Sequence, residues 1–258
     1  MSDTKLGTTG YATVIFDLDG TLLNTIEDLH LALAHALDAC GLAPATLAQT
    51  QARVGNGRAK LIERSLPASA SPELTTRVTS AFDHYYAAHK NDHTHPYPGM
   101  VELAARLRDE GRRVAVVSNK SNYAVRELMD SYYPGVFDVA LGSSDTVPKK
   151  PNRIMVDTAL TRLGAAAQAD AAAGRAVYVG DSEVDVATAA NAGLPCIAVS
   201  WGFRTVEQLR AAGAATIAST ADELAHAIRG KNSGPRSRAL RPGSPGKLAD
   251  HGEHLELY

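Results

Sequence analysis

One short stretch near the start of the chain carries most of the information about its architecture: Thr13-Val14-Ile15-Phe16, followed by Asp17-Leu18-Asp19-Gly20-Thr21-Leu22-Leu23. The first four residues form a continuous apolar run, which is typical of a parallel strand covered on both faces. Two aspartates follow, two residues apart, so in extended backbone their side chains point to the same side. Gly20 then permits a sharp turn. The pattern predicts an α/β fold with a site at the carboxyl end of its first strand.

Apolar runs of the same kind recur further along the chain, and each ends at a polar residue or glycine. They cover residues 114–117, 176–179 and 196–199, with weaker candidates at 139–141 and 216–218. Segments with helical spacing of apolar residues lie among them, at 100–110, 123–130, 154–163, 184–192, 206–212 and 221–228. Strands that alternate with helices predict right-handed βαβ units. We therefore expect an α/β protein with a Rossmann-like parallel sheet and helices on both faces.

One long interval interrupts this alternation. From Thr25 to about Tyr97 the apolar residues follow helical spacing, and no convincing strand is present. Proline and glycine indicate hinges near 23–24 and 96–99. The pattern predicts a second, helical domain inserted after the first strand. The expected division is an α/β core at 1–23 and 97–229, a helical cap at 24–96, and a disordered tail rich in glycine, proline and serine at 230–258.

Length, composition and charge exclude several classes of protein. The 258 residues correspond to one or two domains, and 45% apolar with 21% charged residues is ordinary for a globular protein. The net charge of −2 does not provide the excess of positive charge that nucleic-acid binding needs. Cys40 and Cys196 form no zinc motif and fit a reducing compartment. Neither a signal-peptide run nor a bilayer-spanning stretch is present, so we expect a cytoplasmic protein that does not bind membranes. We also expect a monomer or homodimer that does not bind nucleic acid.

A second acidic cluster, Gly180-Asp181-Ser182-Glu183-Val184-Asp185, also follows a predicted strand. Asp181 could add a third carboxylate to the first site, and an oxygen-rich group of this kind suits Mg²⁺. Ser182 and Asp185 also match the pattern that caps the start of a helix. We assign Ser182 mainly to capping, and Asp185 either to capping or to the support of a metal ligand.

Two further clusters supply groups that bind anions. Ser118-Asn119-Lys120 ends a predicted strand just before a helix, where hydroxyl, amide and backbone N–H groups bind phosphate but also serve as ordinary helix caps. Lys149-Lys150-Pro151 offers a lysine beside a proline, which suits a phosphate contact or an ordinary surface loop. Of the two lysines we favour Lys150, because it directly precedes the proline.

Together the clusters supply a carboxylate pair, a third carboxylate, hydroxyl and amide donors, and a lysine. Two adjacent carboxylates repel each other, so their pKa values separate or a cation bridges them. One acid can then act ionised as a nucleophile while the other supplies a proton. This set of groups is typical of phosphoryl transfer with Mg²⁺.

In this order along the chain, the four motifs resemble those of the haloacid dehalogenase-like superfamily. The resemblance spans roughly residues 14–228. The helical insert resembles the C1-type cap of that superfamily. Three further segments resemble its phosphoglycolate phosphatase branch, namely Arg53-Val54-Gly55-Asn56-Gly57, Pro96-Tyr97-Pro98-Gly99 and Ser200-Trp201-Gly202-Phe203.

The resemblance implies a role for each residue of the motifs. Asp17 is implied as the nucleophile that becomes an aspartyl-phosphate, and Asp19 as the acid and base that serves the leaving oxygen and the attacking water. The implied Mg²⁺ ligands are the Asp17 carboxylate, the Asp19 backbone carbonyl and Asp181, with Asp185 orienting the metal ligands. The implied phosphate contacts are Ser118 and Lys150, assisted by Thr21 and Asn119.

The expected function is therefore that of a Mg²⁺-dependent phosphatase acting on a small phosphorylated metabolite such as 2-phosphoglycolate. Dehalogenases of the superfamily need no acid at the position of Asp19, since halide leaves without a proton, whereas an alkoxide leaving group needs one. The alternatives are a phosphomutase or pyrophosphatase with the same aspartyl-phosphate chemistry, or a catalytically silent binding module.

Overall fold

The protein is built on a parallel sheet of six strands, seen in a computed structural model that describes residues 10–144 and 146–230. The strands are β1 (Thr13–Phe16), β4 (Arg113–Ser121), β5 (Val139–Ser143), β6 (Ala176–Gly180), β7 (Cys196–Val199) and β8 (Thr216–Ala218). Their spatial order is β5-β4-β1-β6-β7-β8, and every neighbouring pair is parallel. The chain leaves β1 toward one edge and later returns to its other side at β6. A ligand site is expected where the strand order reverses in this way.

Helices cover both faces of the sheet. They are α5 (Met100–Asp109), α6 (Asn122–Tyr132), α7 (Ile154–Leu163), α8 (Ala165–Ala172), α9 (Glu183–Ala192), α10 (Val206–Ala211) and α11 (Ala221–Arg229). Phe16 packs into the apolar layer formed with α5, α6 and α11, whereas Ile15, its neighbour in β1, packs into the layer formed with α7, α8 and α9. Successive residues of β1 are thus buried on opposite faces, which confirms the predicted Rossmann-like architecture.

A helical insert follows β1 and has an apolar core of its own. Its helices are α1 (Ile26–Ala39), α2 (Leu47–Arg53), α3 (Arg58–Glu63) and α4 (Pro72–His89). Leu33, Leu61 and Phe82 are buried in this core, and Ala124 and Phe203 join it from outside the insert. The insert therefore packs directly on the elements that surround the carboxyl ends of the strands.

A two-stranded antiparallel ladder connects the insert to the rest of the chain, between β2 (Leu23–Asn24) and β3 (His95–Pro96). The sequence predicts hinges at these places but no strand. The expectation of no strand up to about residue 97 is wrong in this detail, because a two-residue strand is too short to show an alternating pattern. The buried carboxylate of Asp28 reinforces the connection by accepting hydrogen bonds from the backbone N–H groups of His93 and Thr94.

Two other sequence expectations concern the ends of elements. Strand β4 runs on to Ser121, past the expected end at Ser118, with a change of register between Val117 and Ser121. The tail expected at 230–258 lies outside the described residues, apart from Gly230. Within the described part of the chain, no helix combines the length and the apolar character that crossing a bilayer requires.

Candidate active site

The turn after β1 brings the first aspartates to the edge of the sheet. The Leu18 carbonyl accepts hydrogen bonds from the backbone N–H groups of Leu22 and Leu23, at 3.0 Å each. Gly20 has a φ of +83°, and a Cβ at this position would lie 2.3 Å from Oδ2 of Asp181. Glycine is thus required here both for the left-handed backbone and for the close approach of the carboxylate.

Asp181 follows β6 and is almost fully buried beside this turn. Its Oδ1 accepts a hydrogen bond from Thr21 Oγ1 at 3.2 Å, and its Oδ2 accepts one from the backbone N–H of Phe203 at 2.7 Å. Burial raises the pKa of Asp181 well above its usual value, and the charges of Asp185 and Asp17 raise it further. The Thr21 hydroxyl, which the resemblance assigns to phosphate, is directed to this carboxylate.

Lys150 lies buried at the centre of the site. Its Nζ is 2.8 Å from Asp17 Oδ1, 2.8 Å from Asp185 Oδ1 and 3.0 Å from the Tyr178 hydroxyl. Burial alone lowers the pKa of Lys150, but the carboxylates of Asp17 and Asp185 outweigh it and raise the pKa well above the usual value. Lys150 is therefore a permanent cation beside Asp17, whereas Lys149 is half-buried and lines the cavity described below.

Asp185 lies in the first turn of α9, behind Asp17 and Asp181. Its Oδ2 accepts hydrogen bonds from the backbone N–H of Asp181 at 3.2 Å and from the backbone N–H and hydroxyl of Ser182 at 3.1 and 2.6 Å. Ser182 is the N-cap residue of the helix. These contacts confirm the capping interpretation of the Ser182–Asp185 pattern, and the support of a metal ligand by Asp185 stays a prediction.

The donor set at this edge suits a divalent cation. Carboxylate oxygens of Asp17, Asp181 and Asp185 lie within 4.8 Å of one another, and all three residues are buried. Burial raises the pKa of Asp17 to about 7, with Lys150 opposing and Asp185 and Asp19 adding to the effect. Oδ1 of Asp17 contacts the Lys150 ammonium but receives no well-directed hydrogen bond. Asp17 and Asp181 line the cavity described below, whereas Asp185 is fully buried and its carboxylate is held by Lys150 and Ser182, so Asp17 and Asp181 are the better-placed ligands for Mg²⁺.

Asp19 pairs with a different lysine from the one that contacts Asp17. Its Oδ1 accepts hydrogen bonds from Lys120 Nζ at 2.8 Å and from Thr25 Oγ1 at 2.7 Å. Lys120 is buried at the end of β4. The sequence places Lys120 in the Ser118-Asn119-Lys120 motif but assigns it no role, because nothing in a strand-end lysine indicates its partner.

Ser118 and Asn119 have different environments although they are neighbours. The Ser118 hydroxyl accepts a hydrogen bond from the Lys120 backbone N–H at 3.2 Å. The Asn119 side chain accepts from the Lys150 N–H at 2.8 Å and donates to the Lys150 and Gly55 carbonyls at 3.1 Å each. Asn119 thus joins β4 to the Lys150 loop and to the insert, and its amide is already engaged by protein groups.

A cavity of about 610 Å³ lies between the sheet edge and the insert. Of the residues expected at the site, Asp17, Asp19, Ser118, Asn119 and Asp181 line it. Thr21, Lys150 and Asp185 are buried and reach the site through their contacts with Asp17 and Asp181. The insert contributes the apolar and aromatic side chains of Leu29, Val54, Leu61, Phe82 and Tyr86, together with the charged residues Arg58 and Asp83.

The fold and the acidic site together define a class of hydrolase. A model of the family described as "Haloacid dehalogenase-like hydrolase" matches residues 14–199. This range is more than half of the chain, and the chain belongs to this family.

Within the family, the chain is similar to phosphoglycolate phosphatases. The one from Cereibacter sphaeroides strain ATCC 17025 is 35% identical over 195 residues, covering 74% of this chain and 86% of that protein. The one from Caulobacter vibrioides is 34% identical over 207 residues, covering 79% and 84%. A solved structure from Lactobacillus delbrueckii subsp. bulgaricus, described as a candidate phosphoglycolate phosphatase, has a TM-score of 0.79 and 34% identity, covering 86% of this chain and 99% of that one.

Proposed function

We propose that this protein is a Mg²⁺-dependent phosphatase that hydrolyses a small phosphomonoester of the 2-phosphoglycolate kind. The observation that carries the proposal is the presence of two differently paired carboxylates at one cavity. Asp17 contacts Lys150, and Asp19 contacts Lys120. The activity named for the curated relatives supports the same substrate class.

Asp17 is the proposed nucleophile. One of its carboxylate oxygens forms a bond to phosphorus while the ester P–O bond breaks, and Asp19 donates a proton to the departing alkoxide. In the second step Asp19 takes a proton from water, the water oxygen attacks phosphorus, and the Asp17 carboxylate is released with inorganic phosphate. Lys150 lies beside Asp17, and Ser118 lines the same cavity. Both are therefore proposed to contact the phosphoryl oxygens.

Mg²⁺ is proposed to bind the carboxylates of Asp17 and Asp181 and the backbone carbonyl of Asp19. When bound, it would neutralise charge on the transferring phosphoryl group. Four carboxylates, of Asp17, Asp19, Asp181 and Asp185, face only two ammonium groups here. This excess of negative charge favours a bound cation.

The helical insert is proposed to act as a cap domain over the site, with the boundaries at 23–24 and 96–97. Gly55 of the insert accepts a hydrogen bond from Asn119, which connects the insert to the strand end that carries Ser118. A cap in this position would exclude water and complete the substrate pocket.

The proposal also includes the kind of molecule that the protein binds and the cellular compartment in which it acts. The substrate is a small phosphorylated metabolite rather than a nucleic acid, because the net charge of −2 offers no cationic footprint for a polyanion. Cys40 and Cys196 are both free, as in a reducing compartment such as the cytoplasm.

The test is the release of inorganic phosphate from 2-phosphoglycolate by the purified full-length chain. We expect turnover with Mg²⁺, none after EDTA treatment, recovery when Mg²⁺ is restored, and none for the Asp17→Asn variant. Free phosphate also separates hydrolysis from the transfer of a phosphoryl group back to a sugar. Full turnover by Asp17→Asn would show that the nucleophile lies elsewhere.

A further inference from the structure

The hydroxyl of Tyr86 is buried near the Lys120 ammonium but makes no well-directed hydrogen bond with the described residues. Tyr86 belongs to α4 of the insert and is only 4% exposed, and it lines the cavity that contains Asp17 and Asp19. Its ring stacks on Phe82, with 5.5 Å between ring centroids, so its position is fixed by packing. Because buried polar groups in proteins are nearly always hydrogen-bonded, an unpaired hydroxyl in a cavity wall points to a partner supplied by a ligand.

Lys120 approaches the same part of the cavity from the core. Its Nζ lies 5.0 Å from the centroid of the Tyr86 ring. An ammonium has three N–H donors, and one of them serves Asp19 at 2.8 Å. The cavity thus presents a hydroxyl from the insert and a cation from the core beside each other.

Both groups keep the form in which they donate hydrogen bonds. Burial raises the pKa of Tyr86 to about 12, so the hydroxyl stays neutral. Lys120 forms an ion pair with the carboxylate of Asp19. A neutral O–H donor next to an ammonium group is a typical environment for a carboxylate.

Lys120 pairs with Asp19 itself, whereas the other cations of the cavity wall pair with carboxylates outside the catalytic pair or are more exposed. Arg58 is paired with Asp83, and Arg204 is paired with Glu183. Lys149 is only half-buried. Lys120 is therefore the buried cation closest to the proposed acid, Asp19.

The position of Asp19 relates this pair to the leaving group. In the proposed function, Asp19 donates a proton to the ester oxygen, so that oxygen lies one hydrogen bond from the Asp19 carboxylate. Lys120 lies one hydrogen bond from the same carboxylate. A group attached to the carbon that bears the ester oxygen therefore falls within reach of Lys120 and of the insert wall above it.

We propose that Tyr86 and Lys120 form a subsite for a carboxylate on the ester carbon of the leaving group, so that the preferred substrates are 2-phosphooxy carboxylates. This inference rests on the proposed phosphatase function. It assigns substrate selection to one side chain from the insert and one from the core.

The experiment compares 2-phosphoglycolate with ethyl phosphate, which has the same two carbons but no carboxylate. For each protein the measured quantity is the ratio of kcat/KM for the two substrates. We expect Tyr86→Phe to lower this ratio about tenfold, mainly through a higher KM for 2-phosphoglycolate, as for the loss of one hydrogen bond to a charged group. Lys120→Met should lower the ratio further and, through Asp19, also lower kcat for both substrates.

Two control variants make the result specific. Tyr123→Phe removes a hydroxyl from a tyrosine that lines the same cavity but is 45% exposed, and Lys149→Met removes the half-buried cation. Both should leave the ratio within about twofold of the wild-type value. A ratio that follows Lys149→Met and not Tyr86→Phe would overturn the proposal, and so would an equal effect of Tyr86→Phe on both substrates.

The failure of this proposal is distinguishable from failure of the proposed function. If the wild-type protein hydrolyses ethyl phosphate as efficiently as 2-phosphoglycolate, the subsite is refuted while the phosphatase function stands. If it releases phosphate from neither substrate, nor from p-nitrophenyl phosphate, with Mg²⁺ present, the phosphatase function fails and the subsite with it.

Discussion

Each of the two aspartates after β1 has its own ammonium partner. Lys150 contacts Asp17 and also Asp185, whereas Lys120 contacts Asp19. The two carboxylates therefore have different partners although they stand two residues apart in sequence. Different environments for neighbouring acids are what a nucleophile and a proton donor require.

The Asp19→Asn variant tests the proton-donor role. An asparagine keeps the size of the side chain but cannot give up a proton, so the loss should depend on the leaving group. We expect kcat/KM for 2-phosphoglycolate to fall about 10²- to 10⁴-fold and that for p-nitrophenyl phosphate to fall much less, because nitrophenolate departs without a proton. Equal losses for the two substrates in steady-state assays would contradict acid catalysis by Asp19.

The burial of Asp17 makes the stability of the metal-free protein depend on pH. Its pKa is about 7 in the folded protein against 3.8 as the ordinary value. Between about pH 4 and pH 7 the folded protein therefore holds a proton that the unfolded chain has lost, and the free energy of unfolding decreases as pH rises. In EDTA we expect the Tm of the wild-type protein to fall across this window.

The Asp17→Asn variant should show a shallower decline of Tm with pH, since it has no carboxyl group at this position to ionise. At pH 8 in EDTA it should melt at least ~4 °C above the wild-type protein, since stability changes Tm by about 2–4 °C per kcal/mol in a protein of this size. Scanning calorimetry at several pH values measures both slopes. Parallel curves for the two proteins would show that Asp17 is ionised throughout.

At the scale of elements, Arg204 connects the loop after β7 to the insert. Its guanidinium donates hydrogen bonds to the carbonyls of Gln51 and Val54, at 3.0 and 2.7 Å, and pairs with Glu183. Gln51 in turn donates from Nε2 to the Phe203 carbonyl at 3.1 Å. These contacts hold the end of α2 against the core, next to the cavity.

The Arg204→Met variant should loosen this connection while keeping much of the side-chain volume. We expect faster amide hydrogen exchange at residues 51–57, a Tm lower by about 4 °C or more, and a lower kcat/KM, because buried carbonyls lose charged donors. Arg58→Met is the matched control, since it breaks only the exposed pair with Asp83. Equal exchange rates in wild type and Arg204→Met would show that the insert is held by other contacts.

At the scale of the whole molecule, the acidic cluster links metal binding to stability. A ligand that binds only the folded state raises the free energy of unfolding by mass action. The carboxyl pKa of Asp17 is raised to about 7 and that of Asp181 is raised well above its usual value, so protons compete with a cation at low pH. We expect about 10 mM Mg²⁺ to raise the Tm of the wild-type protein more at pH 8 than at pH 5.

The same melting experiment on Asp181→Asn serves as the control. This variant keeps the shape of the residue but removes one proposed ligand charge, so its response to Mg²⁺ should be much weaker than that of the wild-type protein. A Mg²⁺ effect of the same size in both proteins would place the cation elsewhere.

The sheet and the meeting of the acidic residues were predictable from the sequence. Continuous apolar runs identify the parallel strands, and parallel topology brings Asp17, Asp19 and Asp181 to one edge whatever the connecting segments do. Helix α8 was not predicted, because its alanine-rich sequence shows little amphipathic pattern. Secondary structure was thus predictable where local composition determines it.

The side-chain partners could not be predicted in the same way. Lys120 and Asp19 form a pair although they lie about 100 positions apart in the chain. The hydrogen bond from Arg204 to the Val54 carbonyl joins residues about 150 positions apart. The position of Tyr86 depends on how α4 packs above the cavity. The contacts of Arg204 and Tyr86 depend on how the insert packs on the sheet edge, whereas the Lys120–Asp19 pair depends on side-chain packing between β4 and the turn after β1. No local pattern in the sequence encodes either.

The ladder between β2 and β3 brings the two ends of the insert side by side. A segment whose ends are adjacent can be replaced by another of different length without rethreading the six-stranded sheet. Recombination or engineering could therefore place a different insert at this junction and keep the aspartates that follow β1 in position. Changes in substrate range could arise by exchange of a whole module, while the chemistry of the sheet edge is inherited intact.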